Sequence, residues 1–139
     1  MTSHPTDLTA ALASFDAVWS PRIVAAVNDY DVRLARFHGE HVWHVHEETD
    51  EFFLVLDGEI DIALREAGGE RVVTVPERSV FVVPRGTFHK PSSREGAAVL
   101  LVEPAGTLSV GDRHEAVPAH VDVTTGHALD AGGTGGGRP

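Results

Sequence analysis

Residues 40–58 read EHVWHVHEETDEFFLVLDG, and the alternation within them decides the fold. On a β-strand, side chains two apart share a face, so His44 and His46 project together while Val45 points the other way. The step from His46 to Glu51 crosses Glu47, Glu48, Thr49 and Asp50, a polar turn, so Glu51 opens the next antiparallel strand. Neighbouring strands lie about 4.8 Å apart, close enough for that carboxylate to reach a cation held by both imidazoles. The strand then runs through aromatic and aliphatic residues to Asp57-Gly58, a hairpin signal. Imidazole nitrogen and carboxylate oxygen are ligands for first-row transition metals.

Outward from this stretch the strand pattern continues. Residues 33–38, 40–46, 51–56, 59–65, 71–75, 79–83, 88–90 and 97–102 read as eight short strands separated by turns such as Ala67-Gly68-Gly69. Short strands with a turn every 8–12 residues predict an antiparallel sandwich or barrel. Pro84 fixes a turn and Gly86 permits a backbone conformation that other residues resist, which aims His89 back toward the first pair. Residues 6–19 read as an amphipathic helix with Leu8, Leu12, Phe15 and Val18 or Trp19 near helical spacing, ended by Ser20-Pro21. The expected organisation is an N-terminal helical arm over 1–20, the β-barrel over 21–112, an extension over 113–127 and a disordered glycine-rich tail over 128–139. The stretch 106–127 is expected to drape over the barrel or to reach a second subunit.

A chain of 139 residues is long enough for one domain with a real core. It contains no cysteine, which leaves His, Asp and Glu as the strong metal ligands and excludes disulfides, thiolate nucleophiles and iron–sulfur clusters. The formal charge of −10 repels a phosphate backbone, so no nucleic-acid partner is expected. No apolar run approaches the ~20 residues of a membrane span, and no secretory signal opens the sequence. A cytoplasmic protein without a membrane partner is the expectation.

Taken together, Gly39, His44, His46, Glu51 and Gly58, followed by Pro84, Gly86 and His89, resemble the two motifs of the cupin superfamily. The resemblance covers roughly residues 30–105 and is closest to small single-domain cupins. It implies an all-β fold, a jelly-roll β-barrel of cupin type preceded by a short N-terminal helix, with the metal held by His44, His46, Glu51 and His89. Three positions depart from the family pattern. Gly39 stands one residue closer to the first histidine, Arg78 replaces a glycine six before Pro84, and Ser93 stands where asparagine is common. None is a ligand position.

Three imidazoles and one carboxylate leave two positions of an octahedron open, which suits a catalytic ion. One divalent transition metal is therefore expected, with Fe, Mn, Zn, Ni and Cu all compatible. Val42, Phe53, Val55, Phe81 and Phe88 are expected to line the pocket, with Arg33 available for a substrate carboxylate. Arg85 and Lys90 read as solvated turn residues, and Trp19 and Trp43 as packing or dimer contacts. Beyond metal-bound water, His38 and His41 are the candidate bases. Small cupins resembling this chain include dioxygenases, isomerases, lyases and cyclases, so the leading expectation is a metal-dependent enzyme acting on a small, partly apolar oxygenated metabolite. A non-catalytic ligand-binding or sensing module, and a structural or storage barrel, stand beside it. A homodimer is expected in each case.

Overall fold

The computed structural model describes residues 4–129. In chain order its elements are α1 (Leu8–Ala13), β1 (Arg22–Val27), β2 (Tyr30–Glu40), β3 (His44–Val45), β4 (Glu51–Gly58), β5 (Ile60–Glu66), β6 (Gly69–Val75), β7 (Val80–Val83), β8 (His89–Pro104), β9 (Arg113–His114) and β10 (His127–Ala128). Strands β2, β4 and β5 show alternating burial, as expected of a sheet with one face in a core.

Strand β8 organises the molecule. It pairs antiparallel with β2 and β3, and also with β4 and β5. One strand can serve four because it bends: Gly96 sits at φ +104, a conformation that favours glycine. Ser93 fixes that bend, its hydroxyl donating to Glu59 O at 2.8 Å and accepting from Gly96 N at 3.1 Å. The segments 88–90 and 97–102, expected as separate strands, are thus the two ends of one.

The expected barrel does not close. Strands β4–β7 and β5–β6 branch from β8, and β6 and β7 make no ladder with each other among the described residues. Between them Pro76 lacks an N–H, and Arg78 holds φ +67 while donating its N–H to Val55 O at 2.7 Å. The chain therefore leaves β6 and crosses to β4. The fold is an open, mostly β, cupin-type sheet with a short helix.

The helix is shorter than its periodicity predicts. Asp7 caps it, accepting from Thr9 N, and the chain leaves helical pairing at Ser14. Ala11 and Phe15 then pack with Leu34 on the outer face of the sheet, beside Leu8, Leu12, Val24, Leu56 and Leu100. Trp19 turns inward instead. It is 2% exposed, stacks on Phe37 at 4.3 Å and donates its indole N–H to His38 O. Phe15 and Trp19 are consequently part of this chain's own core. The signal missed entirely is β1, which pairs with β2 through the Asn28-Asp29 hairpin.

The C-terminal stretch drapes over the sheet. Val110 and Val121 are buried in the main core, and β9 pairs with β3. The glycine-rich tail lies outside the described residues except at its first two positions, where Ala128 pairs in β10 and Leu129 packs on the outer cluster. Among the described residues no helix is long and apolar enough to cross a membrane.

Candidate metal centre

Short strand β3 carries the first two histidines, and its placement depends on neighbours distant in sequence. His44 faces His89 across the β3–β8 ladder and His114 across β3–β9. Asp112 N donates to Val45 O at 2.8 Å, and the Asp112 carboxylate accepts from Glu47 N at 2.7 Å. Gly111 must be glycine, because a Cβ there would run into Val45 O. The Pro84–Gly86 turn binds the same loop, with Gly86 N donating to His46 O and Arg85 N to the Asp50 carboxylate. Both motif segments and the C-terminal stretch thus grip one loop.

The result is convergence. His44, His46, Glu51 and His89 are all buried, and one ligand atom from each lies within 4.8 Å of the others. His44 Nδ1 donates to Val42 O at 2.8 Å, and His89 Nδ1 donates to Thr87 O at 2.9 Å. Those carbonyls occupy both Nδ1 atoms and leave the Nε2 atoms as the ligand atoms of the two rings. Glu51 Oε1 lies 3.0 Å from His89 Nε2 and 3.3 Å from His46 Nε2. His46 Nε2 is buried and has no aligned hydrogen-bond partner in the protein. Such a donor set, with its outer nitrogens already satisfied, can hold a divalent transition metal.

The electrostatics are those of a pocket short of positive charge. Burial opposes a charge on His46, but the Glu51 carboxylate overrides it, with Glu103 and Asp112 adding, and raises the imidazole to about 9. Burial would push Glu51 up, yet His46 and His89 hold it well below the usual carboxylate range. Burial, reinforced by His89 and His41, keeps His44 well below the ordinary imidazole value. His41 falls to about 4, again chiefly through burial.

Beside the cluster lies an interior cavity of about 30 Å³ whose wall includes His41, His44, Glu51, Phe53 and Glu103. A second cleft, of about 430 Å³, borders His46 between Glu48, Thr49 and residues 104–108. Of the six expected lining residues, Phe53 borders the interior cavity. Val42 and Val55 are buried in the core, Phe81 packs against it, and half-buried Phe88 lies under the Arg113 guanidinium at 5.1 Å. Arg33 is fully buried and shut behind Glu103, bound to Asp31 at 3.1 Å and to Thr107 O at 3.0 Å, so no carboxylate from outside reaches it. Arg85 and Lys90 pair outward with Asp50 and Glu40.

The residue missed in sequence is Glu103. It closes the run 97–104, where Ala97, Val99 and Leu101 face the core, and the same parity carries Glu103 inward. Burial first, then the neighbouring Glu51, raises its carboxyl to about 8.

This architecture and donor set are those of the cupin domain, whose family pattern matches residues 32–103. The chain belongs to that family. It is 36% identical over 80 residues to the uncharacterized protein YdbB of Bacillus subtilis (strain 168), a match covering 58% of this chain and 68% of that one. Its structure resembles a cupin-2 domain containing protein from Shewanella frigidimarina NCIMB 400, with TM-score 0.67 and 35% identity over 71% of this chain and 93% of the other. A hydroquinone 1,2-dioxygenase from Sphingomonas sp. TTNP3, solved with 4-hydroxybenzoate bound, shares the fold at TM-score 0.57 and 18% identity, over 75% of this chain and 82% of that one.

Proposed function

We propose that the chain is a metal-dependent enzyme in which His44, His46, His89 and Glu51 hold one divalent transition metal, drawn from Fe, Mn, Zn, Ni and Cu. The observation that carries the reading is the convergence of four buried donor groups within 4.8 Å. A bound ion of this kind supplies Lewis-acid or redox chemistry to a substrate oxygen. The protein's own part is to orient and to exclude water. Glu51 supplies the anionic donor, the carbonyls of Val42 and Thr87 hold two rings in place, and Phe37, Phe53 and Leu101 keep one wall apolar. The second cleft has the size of a small-molecule site and brings a small, partly apolar oxygenated metabolite to the His46 side. The reaction class is of the dioxygenase, isomerase, lyase or cyclase type.

A second reading is a non-catalytic ligand-binding module. It rests on the same four donors, which can hold an ion and a ligand without turnover. The same proposal includes a cytoplasmic homodimer, supported by the exposure of Val27 and Tyr30 on the β1–β2 hairpin; light scattering that returns a monomer mass removes this part.

Metal analysis of protein purified without chelator or nickel resin tests the main reading. Near-stoichiometric iron with oxygen uptake on catechol-like compounds is the dioxygenase outcome, and zinc or manganese without uptake the isomerase, lyase or cyclase outcome. Negligible metal in every preparation returns the second reading.

A further inference from the structure

Two buried polar atoms without an aligned protein partner, His41 Nδ1 and Glu103 Oε1, belong to residues on the wall of the same interior cavity. We propose that His41 and Glu103 form a binding site for one neutral hydroxyl group, a water molecule at rest and the hydroxyl of a small alcohol or hydroxylated ligand in use.

Each half of the pair is held from behind. Glu103 lies opposite Asp31 on the β2–β8 ladder, and its Oε2 accepts from Arg33 Nη1 at 3.4 Å. Arg33 is itself fixed by Asp31 and by Thr107 O, so one carboxyl oxygen is anchored and the other is left over. His41 is anchored through its backbone N–H, which donates to Pro91 O at 3.0 Å. Its ring sits between those of Trp19, at 5.0 Å, and His44, at 4.8 Å. Native interiors rarely leave buried polar groups without a partner, and two on one cavity mark a place for a polar occupant.

Size and chemistry restrict that occupant. The cavity, about 30 Å³, holds a water or a methanol-sized group. A hydroxyl both donates and accepts, so it can serve an imidazole nitrogen and a carboxyl oxygen together. A carboxylate fits poorly, because the Glu51 carboxylate stands on the wall and Arg33, whose terminal nitrogens bond Asp31, Glu103 and Thr107 O, is not among the residues that line it. Glu103 also stands outside the four-residue group that can hold a metal. Neither polar atom of the pair belongs to a metal donor, so the hydroxyl site does not need the ion, whose donors His44 and Glu51 share the cavity wall.

The test is crystallography of the full chain, metal-free and zinc-loaded. The expected result in both is one density peak at about 2.6–3.2 Å from His41 Nδ1 and from Glu103 Oε1. Methanol soaked into metal-free crystals replaces the water, while formate at the same concentration leaves it in place. Glu103→Leu loses the peak, and Glu103→Gln, which keeps a polar end group and carries the test if the leucine variant does not fold, retains it. Xenon entering the cavity under pressure, formate displacing the water, or Glu103 found ligating zinc each overturns the proposal. Failure of zinc to bind the wild-type protein counts against the metal reading alone.

Discussion

Two buried polar clusters lie side by side on neighbouring strands, and they balance charge in opposite ways. Asp31, Arg33 and Glu103 balance their charge among themselves. Arg33 is fully buried and bonded to both carboxyl groups, and with Glu103 raised to about 8 the cluster carries one cation and one anion at neutral pH. His44, His46, Glu51 and His89 hold a carboxylate and no arginine or lysine, and the charge of Glu51 is met by imidazoles, His46 foremost. A buried carboxylate needs a partner in either place. Where the chain supplies a permanent cation the cluster is closed by an ion pair; where it supplies only imidazoles, it leaves four donor groups that could hold a metal ion.

The sharpest way to break this contrast is to remove the internal cation. Arg33→Leu leaves Asp31 buried without its counter-charge and is expected to cost ~3–5 kcal/mol of stability, read from urea unfolding, whether or not metal is added. A loss below ~1 kcal/mol places the balance elsewhere. His46→Ala is the matching change in the other cluster. It is expected to lower zinc affinity ~100-fold or more, about 2.7 kcal/mol, while the metal-free variant keeps the wild-type circular dichroism spectrum. Full metal content in that variant removes His46 from the site.

What could be read from sequence divides along the same line. The four metal-capable residues are legible because strand parity and two tight turns are local features: His44 and His46 share a face, and Glu51 opens the strand after a polar loop. The second cluster is not, because Arg33 and Asp31 are as hydrophilic as any surface pair until Glu103, seventy residues away, arrives beside them. The same separation hides the grip of 106–114 on β3, which appears only as Gly111 and Asp112 close on Val45. Strand β1 lacks the alternation that marks β2, since half of it stays exposed. Departures from the family motif are absorbed locally. Arg78 adopts the positive φ that a glycine would take, and Ser93 pins the bend of β8.

The smallest effect is also the most specific, since it concerns Glu103, which feels the charges of both clusters. An unfolded glutamate has a pKa near 4.3, whereas folded Glu103 is raised to about 8 by burial and by Glu51. Between those values the native protein keeps a proton that the unfolded chain has released. Stability therefore falls as pH rises through that window, with a slope of at most ~1.4 kcal/mol per pH unit from this group, and is level in this respect below it. Glu103→Gln replaces the protonated carboxyl with a neutral group of the same shape. Near pH ~5 it should differ from the metal-free wild type by less than ~1 kcal/mol, and its stability should lack this downward slope toward pH ~8. Urea midpoints across that range decide the matter. Parallel curves for the two proteins mean that Glu103 is ionised in the fold, in which case Arg33 serves two anions and the first cluster is no longer the self-balanced one.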